Sequence, residues 1–267
     1  MIHRMMETRD HLKLYLQIDS EENPKAVVVV VHGLCEHCGR YDYVTSRLND
    51  AGYSVYRFDH RGHGRSDGKP VYYDSWDENS NDIYDVVQIA KAENPGKKLY
   101  VLGHSMGGYG TACFATRFPK EADGIILSGA LTRYNTQCAG PLPLEAPADM
   151  YVPNALGDGV CSDPTVTKAY AEDPLVAKQM SIGLLNSMYA GVAYLKEHAQ
   201  DFIAPVLILH GCNDGIVSPK DSMELFQEIG STDKSLRIYA HLFHEIFNEP
   251  VKSQILDDVT LWLDQRV

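Results

Sequence analysis

The sequence predicts an α/β architecture: a mostly parallel sheet covered by helices on both faces. Three observations carry this. Continuous apolar runs at 27–31 and 99–102 have the pattern of strands buried on both sides. Segments of helical periodicity alternate with such runs, among them 43–51 and 83–90. Loops rich in Gly, Asp and His follow the runs, on the side of a parallel sheet where chemistry gathers.

Leu12, Leu14, Leu16 and Ile18 alternate with polar neighbours, the mark of a half-buried strand. Residues 4–7 pair with it across a turn at Arg9-Asp10, giving an antiparallel hairpin at the sheet edge. The run 27–31 ends in His32-Gly33-Leu34-Cys35-Glu36-His37; a helical stripe through Tyr43, Val44, Leu48 and Ala51 follows and stops at Gly52. Strand 54–58 leads into the polar loop 59–68. Ile83, Val86, Val87 and Ala90 then form a helix closed by Asn94-Pro95-Gly96. Strand 99–102 turns through Gly103-His104-Ser105-Met106-Gly107 into a helix that Pro119 ends, and strand 125–128 follows.

From 131 to about 198 the alternation lapses. Pro141, Pro143, Pro147, Pro153 and Pro164 interrupt the segment, no strand pattern is evident, and a helix over about 179–195 closes it. A structureless loop of that length does not suit a compact domain, so the segment is expected to be a helical cap inserted into a single domain, 1–267. Strand 206–209, a helix from Pro219, strand 236–239 and a helix with Ile255, Val259, Trp262 and Leu263 inward complete the chain.

A net charge of −12 disfavours nucleic acid and anionic membrane surfaces as partners. No apolar run approaches the roughly 18 residues of a transmembrane segment. The N-terminus lacks a signal-peptide core, so a cytoplasmic protein is expected. Without an export signal the even number of cysteines, six, is poor evidence for disulfides; Cys35 and Cys38 form one C-x-x-C with no second pair to complete a metal site.

The G-x-S-x-G at 103–107 lies between a buried strand and a glycine-rich helix start. That context holds Ser105 in a strained turn with its hydroxyl in the open. A serine nucleophile needs a base, and the base needs a carboxylate to hold its tautomer. The chain order expected with such a turn is Ser, Asp, His. Asp214 follows the penultimate strand and His244 the last one. Asp221 is a weaker alternative acid near a helix start, and His241 rivals His244, because the length of the last loop is open. His32 and His104 sit beside strand ends, where the backbone aims them elsewhere. Two N–H donors for an oxyanion are expected, from Met106 directly after the serine and from Leu34 in the loop after 27–31.

His32-Gly33-x-x-Glu36-His37-x-Gly39-Arg40-Tyr41, Asp59-x-x-Gly62-His63-Gly64-x-Ser66-x-Gly68 and Gly103-His104-Ser105-Met106-Gly107-Gly108 resemble the monoacylglycerol lipase and lysophospholipase branch of the α/β-hydrolases. Asp173-Pro174-Leu175-Val176, His210-Gly211-x-x-Asp214 and His244-Glu245-x-x-Asn248-Glu249 extend the resemblance over nearly the whole chain. It implies the α/β-hydrolase fold, Ser105, Asp214 and His244 as the triad, a glycerol-lipid ester as substrate, and no metal or cofactor. The sequence departs from the family at Cys35, a side chain where H-G-x-G-E-H has glycine.

The expected function is a serine ester hydrolase acting through an acyl-enzyme on Ser105. A carboxylesterase for short or aromatic acyl esters and a non-catalytic ligand-binding homologue are the alternatives. Within the cap, Met180, Leu184 and Met188 recur every fourth residue and are expected to form one apolar stripe, packed on the body or facing an acyl slot. Membrane contact is then at most peripheral, through the cap.

Overall fold

The computed structural model describes residues 1–267, the side chain of Asp158 excepted. β1 (Ile2–Glu7) and β2 (Lys13–Asp19) pair antiparallel with Glu7 opposite Lys13, so the hairpin turns through Arg9 and Asp10 as expected. β3 (Val27–Val31), α1 (Asp42–Asp50), β4 (Ser54–Phe58), α2 (Glu78–Glu93), β5 (Leu99–His104), α3 (Met106–Arg117) and β6 (Gly124–Ser128) then alternate. The inserted segment carries β7 (Tyr151–Pro153), α4 (Pro164–Glu172), β8 (Gln179–Ser181) and α5 (Ile182–Glu197). β9 (Val206–Gly211), α6 (Pro219–Glu228), β10 (Lys234–Tyr239) and α7 (Lys252–Asp264) finish the chain.

The central sheet runs β1-β2-β4-β3-β5-β6-β9-β10 and is parallel from β4 onward. The valine run explains why both faces are covered. Val27, Val29 and Val31 enter a core with Ile83, Val86 and Phe114 of α2 and α3, whereas Val28 and Val30 enter a second core with Leu48 and Trp262 of α1 and α7. β3, β5, β6, β9 and β10 are neighbours, so the loops after β3, β5, β9 and β10 open at one end of the sheet.

Two features of the insertion differ from the expectation of an all-helical cap. β7 and β8 form a small antiparallel pair, Val152 opposite Met180. Each strand is three residues long, too short for an alternating pattern to stand out. The closing helix also starts later than expected, at Ile182, where the Ser181 hydroxyl caps it by accepting from the Leu184 N–H at 3.0 Å. Among the described residues no helix is long and apolar enough to cross a membrane.

Candidate active site

Ser105 joins β5 to α3 with φ 54° and ψ −118°, a conformation that L-residues avoid. The surroundings hold it there. Its N–H donates to the Ser128 carbonyl at 2.9 Å, and its own carbonyl accepts from Tyr109 N–H at 2.9 Å and Leu131 N–H at 3.3 Å. Gly107 permits the sharp turn, since a Cβ there would run into the carbonyls of Val31 and His32. Among the described residues the Ser105 hydroxyl bonds to no protein group, and it faces a cavity of about 600 Å³.

Asp214 and His244 meet across 30 residues of chain: His244 Nδ1 donates to Asp214 Oδ2 at 2.7 Å. This bond places the ring proton on Nδ1 and leaves Nε2 as the basic lone pair. Asp214 Oδ1 accepts from the N–H groups of Ile216 and Val217, both at 2.9 Å. The carboxyl stays far below the usual range: burial alone would raise it, and the attraction and hydrogen bonds of His244 and His210 overcome that. Burial likewise opposes charge on His244, but the attraction and hydrogen bond of Asp214 outweigh it and raise the imidazole above its ordinary value.

The competing residues lie elsewhere. His241 is exposed. Asp221 is buried in the first turn of α6. His104 turns Nδ1 to the Ser128 carbonyl at 3.0 Å, and His32 turns Nδ1 to the Gly33 carbonyl at 2.8 Å. A second histidine on the acid, unassigned from the sequence, is His210: Nε2 donates to Asp214 Oδ2 at 3.0 Å while Nδ1 accepts from Ser222 Oγ at 2.7 Å. Its only trace in the sequence is the spacing His210-Gly211-x-x-Asp214.

Leu34 and Met106 both border the cavity beside Ser105, and among the described residues neither N–H donates to a protein acceptor. The Leu34 loop is fixed from behind. Glu36 Oε1 accepts from Gly33 N–H at 2.5 Å and from the Tyr41 hydroxyl at 2.7 Å, and Glu36 Oε2 pairs with Arg40. Arg40 forks onto both oxygens of Glu245 at 2.7 Å each, tying this loop to the residue after His244. Cys35 adopts φ 64°, the left-handed region where glycine is at ease. Its side chain packs into the core instead of the cavity, and burial pushes its thiol up to about 12.

The cavity wall is largely apolar and comes mostly from the insertion. Met180 and Met188 line it, but Leu184 does not; Leu184 is fully buried in the core, which corrects the expected stripe. Met180 belongs to β8, so a four-residue repeat through it crosses a strand–helix boundary and defines no single face. The lining face of α5 is Leu185, Met188, Tyr189 and Val192, one position round the helix. The cap is held to the body near the site by Ala177 N–H to Cys35 O at 2.8 Å, His37 Nε2 to Asp173 Oδ2 at 2.8 Å and Glu245 N–H to Val160 O at 2.6 Å.

Comparison with known proteins gives a consistent set of relatives. The family described as serine aminopeptidase, S33, matches residues 22–251. A monoacylglycerol lipase of Mycolicibacterium smegmatis is 36% identical over 250 residues, covering 91% of this chain and 89% of that protein. The monoglyceride lipase of Mus musculus is 29% identical over 258 residues, covering 91% and 84%. Among solved structures, the Paleococcus ferrophilus monoacylglycerol lipase superposes with a TM-score of 0.83 at 31% identity, over 95% of this chain and 99% of its own. A soluble variant of the Saccharomyces cerevisiae monoglyceride lipase, in complex with a substrate analogue, gives 0.89 at 25% identity, over 99% and 95%.

Proposed function

This chain belongs to the serine aminopeptidase S33 family of α/β-hydrolases, with monoacylglycerol lipases among its relatives, and from that premise we propose that it hydrolyses monoacylglycerol-type carboxylic esters through an acyl-enzyme on Ser105. The observation that carries the reading is the His244–Asp214 bond of 2.7 Å beside a strained Ser105 that faces an apolar cavity. Ser105 Oγ attacks the ester carbonyl while His244 Nε2 takes its proton. The oxyanion is met by the N–H groups of Leu34 and Met106. Collapse breaks the bond to the alcohol, and His244 returns the proton to the leaving alkoxide. Water, deprotonated by the same nitrogen, then attacks the acyl-enzyme, and the acid leaves as Ser105 recovers its proton. The hydrogen bond from Ser105 to His244 forms when substrate fills the site.

The chain of the acid lies in the cavity, where flexible Met180 and Met188 adapt to its shape. The test is a panel of monoacylglycerols from butyryl to oleoyl, run beside p-nitrophenyl acetate and an aminoacyl p-nitroanilide. Release of fatty acid from medium- and long-chain monoacylglycerols at higher kcat/KM than from acetate is expected. A preference for acetate indicates a short-chain carboxylesterase instead, and cleavage of the anilide alone indicates a peptidase.

A further inference from the structure

Asp221 is a buried carboxylate that the hydrolytic steps above do not use. All its side-chain hydrogen bonds go to one segment. Oδ2 accepts from the backbone N–H groups of Arg133 at 3.0 Å and Tyr134 at 2.9 Å. Oδ1 accepts from Asn135 N–H at 3.1 Å and Asn135 Nδ2 at 2.9 Å. Three consecutive amides thus converge on one anion, an arrangement that suits a full negative charge and that an amide, with one acceptor oxygen, cannot reproduce. The Asp221 carbonyl also accepts from Thr132 Oγ1 at 3.1 Å, and Arg133 pairs with Glu228 at the far end of α6 at 2.7 Å. The first residues of the insertion are therefore clamped along one helix of the body.

The clamp continues into the cavity. Tyr134 is held at φ 64°, a conformation a tyrosine adopts only against steric cost. Tyr134 lines the cavity, and its hydroxyl donates to Gly140 O at 2.8 Å and accepts from Ala139 N–H at 3.1 Å. That fixes the turn carrying Cys138, Ala139 and Leu142, which line the same wall. Ile216 and Val217, in the loop that leads to α6, line the cavity as well. We propose that Asp221 is a specificity-determining positioning residue: by clamping 133–135 to α6 it sets, through Tyr134, the wall against which the acyl chain packs. The proposal rests on the reading of this cavity as the acyl slot.

The test is kcat/KM for p-nitrophenyl esters from acetate to laurate in the native protein, Asp221→Ala and Asn135→Ala. In the native protein each added methylene should raise kcat/KM about fourfold until the slot is full. In Asp221→Ala the ratio of laurate to acetate should fall by about tenfold or more, and in Asn135→Ala, which removes one of four bonds, by about threefold. A merely structural role would lower both esters together and leave the ratio at its native value, and that result overturns the proposal. If Asp221→Ala does not fold, the ratio in Asn135→Ala decides on the same terms. A flat chain-length profile in the native protein overturns the slot reading and the clamp with it. A native rise retained in the variants overturns the clamp alone.

Discussion

In the proposed mechanism His244 serves as a base only while neutral, so its surroundings set the working pH. Burial favours the neutral ring, yet Asp214, Glu245 and Glu36 together hold its pKa above the ordinary 6.5. His104, with its ring 4.6 Å away, is kept neutral by burial down to about 3 and adds no charge. The acid limb of kcat/KM should therefore have an apparent pKa above 6.5, belonging to the Asp214–His244 pair. Asp214→Asn removes the charge that raises the imidazole, so the limb should move to lower pH while kcat falls by about 10⁴-fold. A pH–rate profile of both proteins checks the two effects together. At this scale much of the proposed site is legible in the sequence. Ser105, Asp214 and His244 are bound to a chain order and to strand ends, which a linear pattern preserves. His210 is not legible, because its place on the second side of Asp214 Oδ2 depends on how a turn folds back.

At the scale of elements, α5 separates a packing role from a lining one. Leu184 faces the core and Met188 the cavity, although both sit on the stripe that the four-residue repeat suggests. Leu184→Ala should cost about 2–5 kcal/mol of stability and weaken hydrolysis of all esters alike near its unfolding transition. Met188→Arg should instead lose activity on long-chain monoacylglycerols, with acetate esters affected least. Urea midpoints beside a chain-length series distinguish the two. The sequence misplaces this face because periodicity does not mark where β8 ends and α5 begins. The brace between loops offers a second case. Arg40→Ala would leave Glu36 and Glu245, both buried, without their shared cation, and should cost about 3–5 kcal/mol. Arg40→Lys keeps the charge but not the fork and should recover part of that loss in the same urea experiment.

Over the whole molecule, the sheet that brings four loops together also buries a group of neutral histidines. Burial depresses His32, His60, His63 and His104 below 6.5. As pH falls through 6.5 the unfolded chain takes up these protons before the folded chain does, so each histidine removes up to about 1.4 kcal/mol of stability per pH unit. His244 has the opposite sign: its raised pKa adds stability below 6.5 that is lost as pH rises through the folded value. The four outweigh the one, and the urea midpoint should drop steeply from pH 6.5 to 5; a flat midpoint over that range would contradict this balance.

The alternation of apolar runs and helical stripes makes the sheet and its covering legible in the sequence, because burial of β3 on both faces demands a valine run. The cap is only partly legible. Its strands are three residues long and its contacts with Cys35, His37 and Glu245 join residues far apart in the chain. The proposed hydrolysis requires Ser105 to be an activated nucleophile. Intact mass of the protein after treatment with a fluorophosphonate tests this most directly. The predicted result is one adduct per chain on the peptide containing Ser105, formed in step with loss of ester hydrolysis and absent from Ser105→Ala. A native protein that stays unlabelled, or a label that persists in Ser105→Ala, would contradict it.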